Sequence, residues 1–216
     1  LPEDDLIVHQ PVHLSAEEAT GILDGGCTAL AFFTDSVQLQ KGQKVLINGA
    51  SGSIGTAAIQ LAKHFGAEVT AVCSTKNKAL VRDLGADKVL DYTKNEVEKS
   101  SGQYDVIFDT VGKLSYRKSK RLMTERGVFL SPVLDFSILI SMLFISPFSK
   151  KKFKFAATGL RKKELRMRDL LKIRDLLANG VLQTDIDRVY KLEQIEAAAK
   201  YVDQGHKRGN VVLSIS

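Results

Sequence analysis

The sequence has little cysteine: its 216 residues contain two, Cys27 and Cys73. Two distant thiols provide neither a disulfide framework nor a metal knuckle, so we expect a reducing, cytoplasmic setting. The sequence also lacks a signal peptide and begins with Leu1 instead of methionine, so we expect it to be part of a longer protein. An apolar run of thirteen residues at 136–148 is interrupted by Pro147 and is too short to span a membrane.

Metal ligands in a recognisable pattern are lacking as well. His9 and His13 have the i, i+4 spacing that places two side chains on one face of a helix, but Pro11 lies between them and breaks that geometry. Cys27 is too far along the chain to complete a ligand set with them. We therefore expect no bound metal in this chain.

What the sequence does contain is a strand, a glycine-spaced turn and a helical pattern in direct succession, in KVLINGASGSIG at 44–55 and AAIQLAKHFGAEV after it. Gly52 lets the backbone approach a phosphate, and Gly55 lets the helix pack closely on its strand. The unpaired N–H groups and the positive dipole end of the helix favour an anion. This order predicts a bound NAD or NADP; the alternative is a tight strand-to-helix turn that binds nothing.

The residue after the second strand favours the phosphorylated cofactor. EVTAVCS at 68–74 ends about twenty residues beyond Gly52, where a dinucleotide fold places the acid that binds the ribose hydroxyls, and this position holds Ser74. Without a carboxylate to repel a 2′-phosphate, Thr75, Lys76 and Lys78 are candidate donors to it. We expect NADP(H), although either lysine alone is equally well explained as a solvated helix start.

Helical and extended patterns alternate along the rest of the chain. Ser15 and Glu18 have the spacing of a capping box, which predicts a helix that runs through ALAFFTDSV. Further strands are predicted at 86–92, 104–112, 127–133 and 153–159, with a helix at 78–85 and a strand, helix and final strand after Asp185. Strands separated by helical lengths predict an α/β fold with a parallel, doubly wound Rossmann-type sheet of about six strands and helices on both faces.

The segments NGASGSIGTAAIQLAKHFGAEVTAVCSTKN, LGADKVLDYT, YDVIFDTVG and GHKRGNVVLSIS resemble the cofactor-binding half of medium-chain dehydrogenases/reductases, in the zinc-independent quinone oxidoreductase and zeta-crystallin-like branch. The resemblance covers nearly the whole chain. It implies a Rossmann domain at 1–184 and a tail at 185–216 that returns to a GroES-like catalytic domain of about a hundred residues, which we expect to precede this region in the complete protein.

The resemblance also implies cofactor contacts. The pyrophosphate would be held by Ser51, Gly52, Ser53, Ile54 and Gly55. The 2′-phosphate would be surrounded by Ser74, Thr75 and Lys78, with Tyr92 beside it. The cofactor would lie over the turn of Thr110, Val111 and Gly112, and the nicotinamide would lie near Ser131 and Pro132. Gly209 and Asn210 are weaker candidates from the tail. Two positions depart from the pattern, since Ala50 replaces the first glycine of alcohol dehydrogenases and Ser53 replaces a common glycine of the turn.

The implied activity is hydride transfer from NADPH to a quinone or an α,β-unsaturated carbonyl, in a homodimer formed through the sixth strand. We find no proton donor in the chain and expect this part alone to have little or no turnover. A rival is the short-chain dehydrogenase pattern, because Tyr116 and Lys120 form a YxxxK pair; that pair follows the fourth strand too soon, so we interpret both as surface residues. A third possibility is a non-catalytic NADP-binding protein.

The segment 136–174 admits another function. Its apolar run precedes residues 150–174, which hold eleven Lys or Arg and two acids within a net charge of +6. An apolar stretch beside a basic cluster is typical of a module that binds an anionic membrane or a nucleic acid. In the enzymes that the chain resembles, this stretch lines the substrate cleft or a subunit contact and precedes a solvated helix, and we favour that interpretation.

Overall fold

The computed structural model describes residues 6–114, 119–133 and 150–215. Its centre is a parallel sheet with the strand order β3-β2-β1-β4-β5-β6. The strands are β1 (Lys44–Asn48), β2 (Glu68–Cys73), β3 (Lys88–Asp91), β4 (Tyr104–Asp109), β5 (Met123–Ser131) and β6 (Lys152–Phe155). The predicted doubly wound α/β sheet is confirmed, and its order reverses between β1 and β4, where such sheets bind their ligands.

The helices are α1 (Ala16–Gly21), α2 (Leu23–Ala31), α3 (Ser53–His64), α4 (Lys78–Asp83), α5 (Glu96–Lys99), α6 (Lys163–Ala178) and α7 (Ile195–Asp203). The predicted capping box of Ser15 and Glu18 is present at α1. The single helix predicted after it is instead divided at Ile22 and ends in a π-helical turn, Phe32–Ser36. Ile22 keeps right-handed helical dihedral angles, so the division is local.

Strand limits differ most from prediction at β5, which begins at Met123 instead of Gly127. Thr124, Glu125 and Arg126 are polar and half-buried or exposed, so their residue types give no strand pattern. β4 ends at Asp109, because Asp109 turns the chain with its own side chain, as the next subsection describes. The remaining predicted strands are present, with ends that differ by a few residues.

Apolar side chains cover both faces of the sheet. On one face, Phe108 of β4 packs against Phe32 and Phe33, with ring centroids 5.0 and 5.6 Å apart, beneath α2, α3 and α6. On the other face, Phe129 stacks on Phe153 at 5.4 Å. Burial on both faces explains why the central strands are nearly uniformly apolar.

The tail forms a separate parallel pair, β7 (Ile186–Lys191) and β8 (Asn210–Ser214), with α7 between the two strands in sequence. Several hydrogen bonds attach this tail and the residues just before it to the rest of the fold. The Thr184 hydroxyl donates to the Glu18 carbonyl at 2.6 Å, and the Gly209 N–H donates to the Ser51 carbonyl at 2.8 Å. The tail therefore lies against the glycine-rich turn.

Candidate functional site

The turn between β1 and α3 brings backbone N–H groups to the carboxyl edge of the sheet. The Gly52 N–H donates to the Gly49 carbonyl at 3.0 Å, and Gly52 is the N-cap of α3 in extended conformation. No side chain of the described residues caps this helix. The first N–H groups of α3 and the positive end of its dipole are therefore available to an anion.

The three glycines of the turn have different roles. Gly49 has a φ of +74°, and a Cβ there would lie 2.6 Å from the Thr110 hydroxyl. A Cβ on Gly55 would lie 2.2 Å from the Gly49 carbonyl oxygen, so the approach of α3 to the turn admits no side chain. A Cβ on Gly52 would have one neighbour within 4 Å, the Gly49 oxygen at 3.5 Å. The fold therefore requires glycine at positions 49 and 55. Beside Gly52 the space is open, and this open space, here called the cradle, is where a ligand would approach the backbone.

A cleft of about 650 Å³ opens above this turn, at the carboxyl ends of β1, β2 and β4. Its volume is in the usual range for cofactor sites. Seven predicted site residues line it: Ser51, Gly52, Ser53, Ile54, Tyr92, Thr110 and Val111. Residues that were not predicted also line it, among them Asp24, Asn48, Cys73, Glu98, Lys113 and Lys207. The cleft and its turn fit a dinucleotide: a pyrophosphate would lie on the N-terminus of α3.

Asp109 builds the wall of the cleft after β4. Its carboxylate is buried and accepts hydrogen bonds from the Asn48 amide at 2.9 Å and from the backbone N–H groups of Val111, Gly112 and Leu114 at 3.2, 3.1 and 2.7 Å. These bonds fix the turn in which Gly112 has a φ of +70°. Sequence reasoning missed Asp109, although an acid at the end of a buried strand, three residues before a glycine, is a turn signal.

Beyond the carboxyl end of β2, two of the predicted phosphate-binding residues, Thr75 and Lys78, contact Asp91 at the end of β3. The Thr75 hydroxyl donates to Asp91 at 2.5 Å, and the Lys78 ammonium lies 3.5 Å from Asp91 and 3.6 Å from Glu96. Hydrogen bonds from the hydroxyls of Thr75 and Thr93 hold the pKa of the buried Asp91 carboxyl well below its ordinary value. Thr75 and Lys78 therefore belong to a cluster centred on a carboxylate.

The other predicted positions are not among the residues that line the cleft. Ser74 is half-buried after β2, and the exposed Lys76 has its Nζ 3.5 Å from the His206 carbonyl. Ser131 is buried at the end of β5, where its hydroxyl bonds to the backbone of Val133, and Pro132 follows it. Tyr116 and the apolar run 136–148 lie outside the described residues, whereas Lys120 begins a 3₁₀ turn.

The two thiols are protonated at neutral pH. Burial raises the pKa of Cys73, which lines the cleft, to about 11, and it raises the pKa of Cys27 to about 11 as well. A thiolate nucleophile at the cleft is thereby excluded at neutral pH. Within the part of the chain that the structure describes, no group of three His, Cys, Asp or Glu side chains is arranged to hold a metal ion.

Comparison with known proteins identifies the family. The family described as zinc-binding dehydrogenase matches residues 84–213. The chain belongs to this family. It corresponds to the C-terminal, cofactor-binding part of medium-chain dehydrogenases/reductases in the quinone-oxidoreductase-like branch, as the sequence predicts.

The relatives of this chain are oxidoreductases by name. It is 31% identical over 225 residues to the chloroplastic quinone-oxidoreductase QR1 of Triphysaria versicolor, covering 97% of this chain and 65% of the relative. It is 29% identical over 238 residues to the mitochondrial NAD(P)H oxidoreductase RTN4IP1 of Danio rerio, covering 97% and 59%. The quinone oxidoreductase of Coxiella burnetii has the same fold, with a TM-score of 0.77, 24% identity and coverage of 89% and 58%.

The chain thus spans about three fifths of the length of these relatives. Among the described residues, no helix has both the length and the apolar character needed to cross a bilayer. The names of the two relatives place them in mitochondria and chloroplasts, so the cytoplasmic location remains a prediction.

Alanine substitutions at Gly55 and Gly52 distinguish a glycine that the fold requires from one that ligand binding requires. We expect Gly55→Ala to lower the free energy of unfolding by about 1–3 kcal/mol, because its Cβ would overlap the Gly49 carbonyl. We expect Gly52→Ala to leave stability within about 1 kcal/mol of the unaltered chain, since alanine tolerates this backbone, and to weaken NADPH binding at least tenfold. Urea denaturation and calorimetry measure the two effects; a Gly52→Ala chain that binds NADPH normally contradicts the cradle.

The Asp91 cluster predicts a pH dependence of stability. Because the pKa of Asp91 is lower in the folded chain than in the unfolded one, its ionised form stabilises the fold above about pH 4. This stabilisation is lost as the pH falls through the folded pKa. We expect Asp91→Asn to be less stable than the unaltered chain at pH 7, with the difference shrinking below about pH 4 in thermal denaturation. A difference that is constant with pH would contradict this assignment.

Proposed function

We propose that the protein containing this chain transfers a hydride from NADPH to a quinone or an α,β-unsaturated carbonyl. Membership of the dehydrogenase family and the names of the relatives support an NAD(P)H-dependent oxidoreductase. The observation that carries the proposal is the open cradle at Gly52, over the uncapped start of α3 in the cleft where the strand order reverses. Such a site binds the pyrophosphate of a dinucleotide.

The residues of the chain position the cofactor. The turn from Ser51 to Gly55 holds the pyrophosphate through backbone N–H groups, and the turn from Thr110 to Gly112, braced by Asp109, supports the cofactor from β4. Val111 and Leu114, apolar side chains of the lining that follow β4, would exclude water from the bound nicotinamide. When bound, the nicotinamide supplies the hydride. We assign the proton to solvent, to the cofactor ribose or to a residue outside this chain.

NADP(H) is the proposed form of the cofactor. Ser74 leaves the ribose position without an acid. Thr75 and Lys78 follow it closely in sequence, and Tyr92 is the neighbour of Asp91, which both of them contact; these three would receive a 2′-phosphate. Lys78 is shared between Asp91 and Glu96 at 3.5 and 3.6 Å, distances longer than a direct charged hydrogen bond. A phosphate that carries more negative charge than either carboxylate would compete for this ammonium.

We also propose that hydride transfer needs no zinc, that the complete protein is a homodimer formed through the sixth strand, and that it is cytoplasmic. Support for the first point is the resemblance to the zinc-independent branch together with the quinone-oxidoreductase name of a relative. The other two points rest on the resemblance to the branch and on the scarcity of cysteine.

The membrane or nucleic-acid alternative has less support, because most charges of the basic cluster 150–174 are used within the fold. Four of these cations form ion pairs: Lys150 with Glu125, Arg161 and Arg168 with both Asp35 and Asp169, and Arg174 with Asp175. Two lysines donate to backbone carbonyls instead: Lys151 to those of Lys120 and Met123, and Lys154 to that of Ser36. Lysine and arginine side chains that are already paired cannot bind a phosphate backbone without losing these partners.

Two coenzymes and one substitution test the preference for NADP(H). We expect tighter binding of NADPH than of NADH by calorimetry, and we expect Lys78→Gln to weaken NADPH binding about tenfold while leaving NADH unchanged. General damage to the site would lower both affinities, so their ratio is the informative quantity. Lys88→Gln removes an exposed lysine at the amino end of β3, on the opposite edge of the sheet, and serves as the matched control. Equal affinity of the unaltered protein for both coenzymes would defeat the preference.

Turnover separates an enzyme from a non-catalytic NADP-binding protein. We expect the complete protein to oxidise NADPH steadily when quinones or enals are supplied, and we expect this chain alone to bind NADPH with little or no turnover. The measurement is the loss of NADPH absorbance over a panel of electron acceptors. Binding of NADPH without oxidation by any acceptor in the panel would favour the non-catalytic alternative.

A further inference from the structure

The C-terminal tail lies on the glycine-rich turn along a fixed path. The Gly209 N–H donates to the Ser51 carbonyl at 2.8 Å, and Gly209 pairs with Gly52 as in a parallel sheet. Gly209 has a φ of +52°, and a Cβ there would lie 2.3 Å from the Asp185 carbonyl oxygen. A side chain at this position is therefore excluded, and the residues just before it are held beside the turn.

This path brings Lys207 to the cleft. Lys207 lines the same cavity as Gly52 and Ser53, and its ammonium donates to the Gly209 carbonyl at 2.7 Å. Burial lowers the pKa of Lys207, while the negative charges of Asp187 and Asp24 act in the opposite direction. Among the described residues, no carboxylate forms an ion pair with this ammonium within 4 Å. The ammonium is thus a partly desolvated cation beside a site built for an anion.

The neighbouring Arg208 is placed differently. Its guanidinium lies 3.3 Å from the Asp185 carboxylate, it is about half exposed, and Arg208 does not line the cleft. Two adjacent cations of the tail therefore have different surroundings: one is paired on the surface, and the other faces the cavity. Arg208 is therefore a control for Lys207, because it carries the same charge and is the next residue in the chain.

We propose that Lys207 binds the phosphate groups of the dinucleotide from the tail, together with the N-terminus of α3. The inference rests on the proposed cofactor and extends the site to a residue in the segment after Asp185. The ammonium supplies a charged donor that the backbone of the turn lacks, and a partly desolvated cation attracts an anion more strongly than one in bulk water. The carboxylate of Asp24, which lines the same cleft, would repel the phosphate.

A set of charge variants tests this role by calorimetry with NADPH, NADH, ADP and adenosine. We expect Lys207→Gln to weaken the binding of NADPH, NADH and ADP by about five- to tenfold and to leave adenosine unchanged, because only the first three carry a diphosphate group. Lys207→Arg keeps the charge and should restore most of the affinity. Arg208→Gln should change each affinity by less than about twofold, and Asp24→Asn should strengthen NADPH binding.

The outcomes separate this inference from the proposed function. If the unaltered chain binds dinucleotides and Lys207→Gln binds them as tightly, the role of Lys207 is overturned while the cofactor stands. A loss that is confined to NADPH would also overturn it, because that pattern belongs to the 2′-phosphate. If the unaltered chain binds no dinucleotide, the proposed function fails and the role of Lys207 fails with it. Circular dichroism and thermal denaturation of each variant verify that the fold is intact.

Discussion

The contact between α3 and the turn that precedes it is the constraint on which the site depends. The Gly49 carbonyl oxygen lies where a Cβ of Gly55 would be, so the helix and the end of β1 approach each other backbone to backbone. This approach places the helix N-terminus at the carboxyl edge of the sheet, beside the point where the strand order reverses. A wider separation would move the N–H groups away from the cleft, and no side chain in the turn would replace them.

Local patterns predicted much of the architecture. The buried strands are recognisable from continuous apolar residues, and the first helix is recognisable from Ser15 and Glu18, since both signals depend on a few consecutive positions. The glycines that face the ligand and the helix were also predicted from their spacing. Gly49 was missed, because the side chains that exclude a Cβ there, Thr110 and Val111, lie about sixty residues away in sequence.

The hydrogen bonds of the buried polar side chains could not be predicted from local sequence patterns, because their partners are also distant in sequence. Asp109 accepts from Asn48, 61 positions earlier, and Asp91 binds Thr75, 16 positions earlier. Their partners become neighbours only when the parallel strands align. The sequence predicted Thr75 and Lys78 as donors to a phosphate, and it did not indicate that a buried carboxylate already engages both. The donors are therefore orientated before any ligand binds, and they are also partly neutralised.

The hydrogen bond from Gly209 to Ser51 joins two parts of the molecule that the chain visits almost 160 residues apart. β8 begins immediately after Gly209, so a shift of the β7–β8 pair either breaks this bond or moves the turn with it. A ligand that binds the turn more tightly while this bond is intact would therefore link occupancy of the cleft to the position of the last strand. By reciprocity, whatever holds the terminal strand in place raises the affinity for the nucleotide by the same factor by which the nucleotide secures the strand.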